Sequence, residues 1–329
     1  MDLNTYKHGI FNLNGDEEFE AMALRLFEYQ YGHNPVYKQF VNGLGLSMGQ
    51  VKRLDQIPFL PVGFFKTHRI STGDFVEELV FESSGTTGME TSKHFVADAD
   101  LYCLSFEKGI ELFYGDMAQY AVFALLPSYL ERQNSSLVYM VEKLMAKSNK
   151  ARGGFYLNDL GELRQQLEQA KKEGLKTMLF GVTFALLDMV ERFPISLPDA
   201  IVIETGGMKG RRKELTRMEL HEQLCKGFGV EKIHSEYGMT ELLSQAWSKG
   251  DGIFKAPSWM KIMISDLNDP MDYVGMGRTG GIHVIDLANV HSCSFIATQD
   301  LGRVFPDGSF EVLGRFDNSD IRGCSLLAV

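Results

Sequence analysis

Short β-rich runs alternate with longer helical stretches through the middle of this chain, and this alternation constrains the fold more than any other feature. The runs are ELVFE at 78–82, YAVFALL at 120–126, TMLFGV at 177–182 and AIVIETG at 200–206. A chain that alternates in this way forms a sheet with parallel strands, covered by the helices that connect them. The pattern therefore predicts an α/β fold with parallel or mixed sheets packed with helices.

Both ends of the chain depart from that alternation. Residues 16–32 carry apolar side chains at a helical period, and IPFLPVGFFK at 57–66 sets two prolines among large apolar residues. We therefore expect an N-terminal helix followed by an extended connector. After Pro257 the runs are short and alternating, which predicts a mostly antiparallel β portion. We divide the chain into an N-terminal segment, 1–75, that packs on a core formed by 76–329.

The composition argues against several classes of protein. The 329 residues carry a formal net charge of −10, so the chain lacks the basic surface that attracts nucleic acid. Its four cysteines are widely spaced and form no C-x-x-C pair, which indicates a reducing compartment and no zinc site. We find neither a signal-peptide pattern nor an apolar run long enough to span a bilayer. We expect a cytoplasmic protein.

A loop of small and hydroxyl residues directly follows the first of the β-rich runs. It comprises Ser83, Ser84, Gly85, Thr86, Thr87 and Gly88. Small residues let backbone N–H groups approach phosphate oxygens, hydroxyls add donors, and Lys93 just beyond the loop adds a positive charge. The sequence thus predicts a phosphate-binding loop, although a simple Ser/Thr/Gly turn has the same composition. A Walker pattern is absent, which disfavours a kinase or GTPase.

A second glycine-rich segment, residues 275–280, matches the pattern G-x-G-x-x-G. In a dinucleotide site this pattern opens a helix whose N-terminus faces the pyrophosphate. Here the residues that follow, GIHVIDL, alternate like a strand. We interpret the segment as a hairpin turn.

Four further segments, in chain order, resemble motifs of the adenylate-forming superfamily of acyl-CoA synthetases, luciferases and peptide-synthetase adenylation domains. They are GGMKG at 206–210, EYGMTE at 236–241, TQDLGR at 298–303 and GRFD at 314–317. The resemblance implies that a carboxylate attacks the α-phosphate of ATP and expels pyrophosphate, with Mg²⁺ neutralising the charge.

The loop and three of these four motifs imply contacts with the nucleotide. The loop at 83–88 and Lys93 would hold the β- and γ-phosphates, and the adenine would lie against Gly206, Gly207 and Met208. By the same resemblance Asp300 holds the ribose hydroxyls, and Arg315 stands at the start of the hinge. A surface ion pair between Asp300 and Arg315 is the ordinary structural alternative.

The EYGMTE motif implies the contacts nearest the reaction. Tyr237, with Glu236 and Gly238 beside it, would stack on adenine, and Thr240 would contact the α-phosphate. Glu241 would bind Mg²⁺, which prefers hard oxygen ligands. The structural alternatives are a core aromatic for Tyr237 and a solvated carboxylate at a helix start for Glu241.

Three stretches, IPFLPVGFFK, residues 125–140 and residues 314–327, resemble the LuxE-type acyl-protein synthetases, and phenylacetate-CoA ligases are more distant. That resemblance implies a fatty acid substrate, an acyl-CoA-reductase-like protein partner, and transfer of the acyl group to a cysteine near the C-terminus, here Cys324. A thiolate is the nucleophile that such a transfer needs. A cysteine with no catalytic role is the alternative.

The chain ends soon after GRFD, so we expect the small C-terminal lid domain of the superfamily, with its catalytic lysine, to be absent. Lys93 or a partner's residue would then replace that lysine. Five residues are consistent with an acid-binding pocket and equally with the core. They are Phe123, Tyr129, Phe180, Phe184 and Met239.

Three hypotheses for function stay open. The first is an acyl-protein synthetase that carries the acyl group on its own cysteine. The second is a CoA ligase or free-standing adenylation enzyme that passes the group to CoA, a carrier protein or an amine. The third is an inactive nucleotide- or acyl-binding partner of a reductase complex.

Overall fold

A computed structural model of the chain describes residues 1–83, 90–126, 134–149, 151–157, 159–206 and 215–315. In these ranges the helices are α1 (Leu3–Gly9), α2 (Asp16–His33), α3 (Pro35–Gly43), α4 (Phe64–Thr67), α5 (Ala99–Tyr114), α6 (Ser136–Lys147), α7 (Leu160–Lys172), α8 (Thr183–Arg192) and α9 (Arg217–Phe228). The strands are β1 (Leu60–Pro61), β2 (Leu79–Glu82), β3 (Lys93–Val96), β4 (Tyr120–Leu125), β5 (Gly154–Tyr156), β6 (Lys176–Val182), β7 (Ile201–Thr205), β8 (His234–Tyr237), β9 (Ala246–Ser248), β10 (Ile253–Lys255), β11 (Met260–Ser265), β12 (Gly280–Asp286), β13 (Phe295–Val304) and β14 (Phe310–Arg315).

One large mixed sheet joins most of the described strands, in the order β11-β12-β13-β14-β10-β9-β8-β7-β6-β4-β5. Strands β5, β4, β6, β7 and β8 run parallel. From β8 to β11 each neighbouring pair is antiparallel. The predicted α/β fold and the predicted antiparallel portion after Pro257 are both confirmed.

The centre of the parallel half is buried on both faces. Every residue of β4 is buried, and so is every residue of β6 after Lys176. Strands covered by helices on both sides are apolar throughout instead of alternating, which is the pattern that YAVFALL and TMLFGV showed. Of the residues predicted to fit either an acid pocket or the core, Phe123, Phe180 and Phe184 lie in this core, and Tyr129 lies outside the described residues.

The N-terminal helices attach to the loop that follows β12. The Gln30 side-chain amide donates to the carbonyls of Asn289 and Val290, both at 3.1 Å. The Tyr6 hydroxyl donates to the carbonyl of Leu287 at 2.9 Å. These bonds are buried, so α1 and α2 are fixed on the region that carries the large sheet. The segment boundary at residue 75 stays a prediction.

The connector at 57–66 differs in part from the prediction. Its first half is extended, and β1 pairs in parallel with β13 through Leu60 and Ile296. Its second half turns into the short helix α4, whereas we expected extended chain throughout. No proline follows Pro61 in this stretch to prevent a helical turn, and the turn carries Phe65 into the core, where it is 1% exposed.

Two smaller expectations are confirmed. Helix α2 covers the helical pattern at 16–32. The glycine-rich segment at 275–280 contains a turn with Gly277 at φ 77°, and strand β12 begins directly at Gly280. Among the described helices, none has an apolar stretch long enough to cross a bilayer.

Candidate active site

The two strands around the glycine and hydroxyl loop form a hairpin that stands apart from the large sheet. Strands β2 and β3 pair antiparallel, with Phe81 opposite His94 and Glu82 opposite Lys93. Two further hydrogen bonds join the residues at the ends of the loop: Ser83 N donates to Ser92 O at 3.0 Å, and Ser92 N donates to Ser83 Oγ at 2.9 Å. Ser84, Gly85, Thr86, Thr87 and Gly88 lie outside the described residues.

The hairpin has an inner and an outer face. Because side chains alternate along a strand, Ser92 and His94 lie on one face and Lys93 on the other. His94 is 1% exposed, so this face is the inner one. Lys93 is half-exposed on the outer face, where its Nζ lies 3.4 Å from Glu82 Oε1. The phosphate-binding and catalytic roles of Lys93 stay predictions.

Two buried side chains hold the backbone of Thr240 and Glu241. His94 Nδ1 lies 2.8 Å from the carbonyl oxygen of Thr240. Burial lowers the pKa of His94 to about 4, so the ring is neutral at pH 7 and Nδ1–H donates to this carbonyl. The Asn289 amide donates to the carbonyls of Glu241, at 2.7 Å, and Cys293, at 2.9 Å. The motif is therefore anchored from the hairpin on one side and from the β12–β13 loop on the other.

The Glu241 carboxyl group is buried beside the hairpin. It is 5% exposed, which excludes the interpretation as a solvated carboxylate. Burial raises its pKa, while a hydrogen bond from Ser92 and the positive charges of Arg315 and Lys66 oppose that rise. A desolvated carboxylate next to the loop can ligate a hard cation such as Mg²⁺. The metal-binding role itself stays a prediction.

Three predicted nucleotide-site residues meet on the other side of the motif. The Tyr237 hydroxyl donates to Asp300 Oδ2 at 3.0 Å, and Arg315 Nε donates to Asp300 Oδ1 at 3.3 Å. The Tyr237 ring packs edge-on against Phe254 and Phe310. Tyr237 is thus a buried aromatic that holds Asp300 in place, and Asp300 and Arg315 form the ion pair that was the structural alternative. Stacking on adenine and ribose binding stay predictions.

The carboxyl ends of β7 and β8 bring the remaining motif residues together. The Thr205 hydroxyl donates to Glu236 Oε2 at 2.6 Å, and the Thr183 hydroxyl donates to Gly206 O at 2.7 Å. A Cβ on Gly238 would lie 2.3 Å from Glu236 Oε1, so any side chain there would displace this carboxyl group. Ligands of open α/β sheets bind at this edge of the strands. Gly207 and Met208 lie outside the described part of the chain.

Glu236 has an unusual proton affinity. Burial, opposed by the Thr205 hydrogen bond and assisted by the negative charge of Glu204, raises its pKa to about 7. Burial would raise the pKa of Glu204, but His221, with its Nε2 3.6 Å from Glu204 Oε1, and the positive charge of Arg217 outweigh that effect and keep the pKa lowered. The two carboxyl groups are therefore in different states near pH 6, with Glu236 protonated and Glu204 ionised.

The pKa of Glu236 predicts a pH dependence of stability. The unfolded chain ionises Glu236 near pH 4.5, whereas the folded chain keeps its proton up to about pH 7. This group therefore lowers the free energy of unfolding as the pH rises through that window. In Glu236→Gln the contribution is absent, so the variant should gain on the order of 1–3 kcal/mol relative to the wild type between pH 4.5 and 7.5.

Urea unfolding of both proteins at four pH values across that window measures this difference. Glu168→Gln is the matched control, because Glu168 lies on the exposed side of α7 and pairs only with Arg164 among the described residues. Its difference from the wild type should not change with pH. A flat difference for Glu236→Gln as well would contradict the assignment.

The sequence did not indicate the residues that support the motif. Ser92 and His94 follow the loop at the two-residue spacing of one strand face, which was a usable signal. Lys66 is one lysine in an apolar connector, and Asn289 lies in a loop. No local pattern marks either of them, because long-range contacts bring them to Glu241, which is 48 residues from Asn289 in sequence and much farther from Lys66.

The described fold resembles solved structures, although no protein-family model and no curated protein sequence matches the chain. ATP-bound MatB from Rhodopseudomonas palustris has a TM-score of 0.54 and 16% identity, over 72% of this chain and 47% of that chain. MenE from Bacillus subtilis, an O-succinylbenzoate coenzyme A synthetase in complex with ATP and magnesium ion, has a TM-score of 0.52 and 18% identity, over 72% and 49%. A 2-hydroxyisobutyryl-CoA ligase in the postadenylation state with R3-HIB-AMP has a TM-score of 0.67 and 14% identity, over 92% and 68%.

These likenesses concern the fold. The chain spans about half the length of MatB and MenE, with 47% and 49% of those chains covered. At identities of 14–18% the shared feature is the arrangement of helices and strands. The chain shares its mixed-sheet α/β fold with these structures.

Proposed function

We propose that this protein uses ATP and Mg²⁺ to convert a carboxylic acid into an acyl adenylate. A substrate carboxylate oxygen attacks the α-phosphorus, the bond from that phosphorus to the bridging oxygen of pyrophosphate breaks, and pyrophosphate leaves with the electron pair. One observation carries the proposal: the Glu241 carboxyl group is buried beside the hairpin that carries the glycine and hydroxyl loop. Ser92 of that hairpin and the positive charges of Arg315 and Lys66 favour its ionised form.

The site fits a triphosphate bound with a metal ion. The Glu241 carboxylate offers the hard oxygen ligand that Mg²⁺ prefers, and the cations near it suit the phosphate oxygens that accompany the metal. The metal, when bound, neutralises charge on the phosphates and on the leaving pyrophosphate. His94 and Asn289 hold the carbonyls on both sides of the Cα of Glu241, so the carboxylate is positioned before the nucleotide arrives.

The ligands of the structural neighbours support ATP as the nucleotide substrate in this proposal. MatB was solved with ATP, MenE with ATP and magnesium ion, and the 2-hydroxyisobutyryl-CoA ligase with an acyl adenylate. Tyr237, Asp300 and Arg315 would contact adenine and ribose in the same bound state, and Gly206, Gly207 and Met208 would flank the base. The loop at 83–88 and Lys93 would contact the outer phosphates.

The acceptor of the acyl group has two candidates. The first is Cys324: its thiolate attacks the acyl carbon of the mixed anhydride, the single bond from that carbon to the phosphate oxygen breaks, and AMP leaves. The acid is then a fatty acid, and an acyl-CoA-reductase-like protein takes the group from the thioester. The second candidate is CoA, which is favoured by two neighbours, a 2-hydroxyisobutyryl-CoA ligase and an O-succinylbenzoate coenzyme A synthetase. Cys324 lies outside the described residues.

Pyrophosphate exchange tests the activation step. The protein, ATP, Mg²⁺ and labelled pyrophosphate are incubated with fatty and aromatic acids in turn. Exchange that depends on both the acid and Mg²⁺ is the expected result. ATP binding without exchange for any acid would favour the third hypothesis, an inactive binding partner, and overturn the proposed activation.

Covalent labelling tests the acceptor. With a labelled acid that supports exchange, the wild type should acquire a hydroxylamine-sensitive label in the absence of CoA. Cys324→Ala should lose that label and keep its exchange rate, because the thiol acts only after adenylation. Cys225→Ala is the control, since this partly buried cysteine lies on α9 and its pKa is raised by burial. An undiminished label on Cys324→Ala, or AMP release that requires CoA, would exclude Cys324 as the acceptor.

A further inference from the structure

Lys66 lies on a short helix that the large sheet holds firmly. The backbone of Val62 donates to Ala297 O of β13 at 2.9 Å, directly after the two paired residues of β1. The next turn closes through Phe65 N to Val62 O and Lys66 N to Gly63 O, both at 3.1 Å. Backbone bonds to β13 therefore set the position of α4. Three residues after Ala297 in the same strand, Asp300 pairs with Arg315 of β14.

The residue before Lys66 packs directly on the hairpin. Phe65 is 1% exposed, and its ring meets the ring of His94 edge-on with centroids 6.0 Å apart. His94 in turn holds the carbonyl of Thr240 at 2.8 Å. One aromatic contact and one hydrogen bond thus link α4, the helix that carries Lys66, to the residue before Glu241.

Of the three cations in this part of the protein, only Lys66 lacks an acidic partner among the described residues. Lys66 is exposed and forms no ion pair with any residue in the described ranges, and its positive charge opposes the rise that burial causes in the pKa of Glu241. The other two cations have partners: Arg315 is bound to Asp300, and Lys93 lies on the outer face with Glu82. When Glu241 binds a divalent cation, the local charge becomes positive, and Lys66 has donors ready for the anion that the metal brings.

We propose that Lys66 binds phosphate oxygens of MgATP at the Glu241 site and stabilises the negative charge on the departing pyrophosphate. This inference rests on the proposed function, since it names a further residue of the same site. Lys66 forms no covalent bond and transfers no proton in this role. Because Lys66 directly follows the buried Phe65, its backbone is held in place, while its flexible side chain can adjust to the phosphate oxygens.

Binding of MgATP to Lys66→Gln, measured by calorimetry, tests the proposal. We expect the dissociation constant to rise about tenfold to a hundredfold, as for the loss of one charge-assisted contact. Lys66→Arg should recover most of the affinity. Lys52→Gln is the matched control, because Lys52 is an exposed lysine of the same N-terminal segment, and it should bind as the wild type does. Binding of adenosine, measured by competition, should be unchanged in all three variants, because adenosine has no phosphate.

Four outcomes separate the possibilities. Weakened MgATP binding with unchanged adenosine binding and an unchanged free energy of unfolding supports the proposal. Wild-type MgATP affinity in Lys66→Gln overturns it. Equal loss of ATP and adenosine binding, or a fall in stability, assigns Lys66 a structural role and also overturns it. A wild-type protein that binds no MgATP refutes the proposed function itself, and this inference with it.

Discussion

Glu241→Gln is expected to lower acid-dependent pyrophosphate exchange by at least about a hundredfold while the protein stays folded. Glutamine has the same shape and keeps an oxygen near Ser92, but it has no charge to hold Mg²⁺. The backbone bonds from His94 to Thr240 O and from Asn289 to Glu241 O do not involve the carboxylate, so the motif keeps its conformation. The variant would therefore lose exchange activity because it no longer holds Mg²⁺, and not because the motif is misfolded.

Stability is the measurement that distinguishes these two origins. Because burial raises the pKa of Glu241, ionisation of this side chain at pH 7 opposes folding, and a neutral amide removes that cost. Glu241→Gln should thus be at least as stable as the wild type at pH 7 in urea unfolding. Glu168→Gln should leave both exchange and stability unchanged. Exchange in Glu241→Gln that equals the wild type at every Mg²⁺ concentration would refute the metal-binding role.

Asp286→Asn is expected to have the largest effect on stability, a loss of about 2–4 kcal/mol. Asp286 is fully buried at the end of β12 and accepts four hydrogen bonds. The Leu243 and Ser244 N–H groups donate to Oδ2 at 2.8 and 2.9 Å. The Ser244 hydroxyl and the Ala288 N–H donate to Oδ1 at 2.6 and 3.1 Å. An amide NH₂ in place of one oxygen would face donors and leave them unsatisfied.

These bonds matter to the site because they hold the chain just after the EYGMTE motif. Ser244 Oγ also lies 3.0 Å from Ser105 Oγ, which accepts a hydrogen bond from Trp259 Nε1 at 3.1 Å. One buried network thus joins the motif, helix α5 and the segment before β11. A network of this kind is stable only when every member is satisfied.

Urea unfolding followed by tryptophan fluorescence measures the effect, because both tryptophans of the chain, Trp247 and Trp259, lie in the core. Asp16→Asn is the control: its side chain is 90% exposed and pairs only with Lys261 among the described residues. That variant should lie within about 0.5 kcal/mol of the wild type. A similarly small change in Asp286→Asn would mean that the four donors find other partners.

The candidate site was predictable in part. EYGMTE, TQDLGR and GRFD identified Glu241, Tyr237, Asp300 and Arg315, and the structure brings Tyr237, Asp300 and Arg315 into one cluster. The sequence also drew attention to Lys93, but strand alternation places it on the hairpin face opposite Ser92 and His94. A spacing in sequence locates a residue along the strand, whereas the choice of the inner face depends on what the hairpin packs against.

Local sequence determined most of the secondary structure of this protein, with helix α4 as an exception, because most elements follow the period and composition of their own residues. The runs at 78–82, 120–126, 177–182 and 200–206 became β2, β4, β6 and β7, and the alternating runs after Pro257 became antiparallel strands. Only the tertiary structure decided how they combine: β9 and β10 join the parallel half to the antiparallel half in one sheet. It also decided which residues surround Glu241. Ser92, Asn289, Arg315 and Lys66 come from four separate segments, and the packing of the whole core, which no local pattern encodes, brings them together.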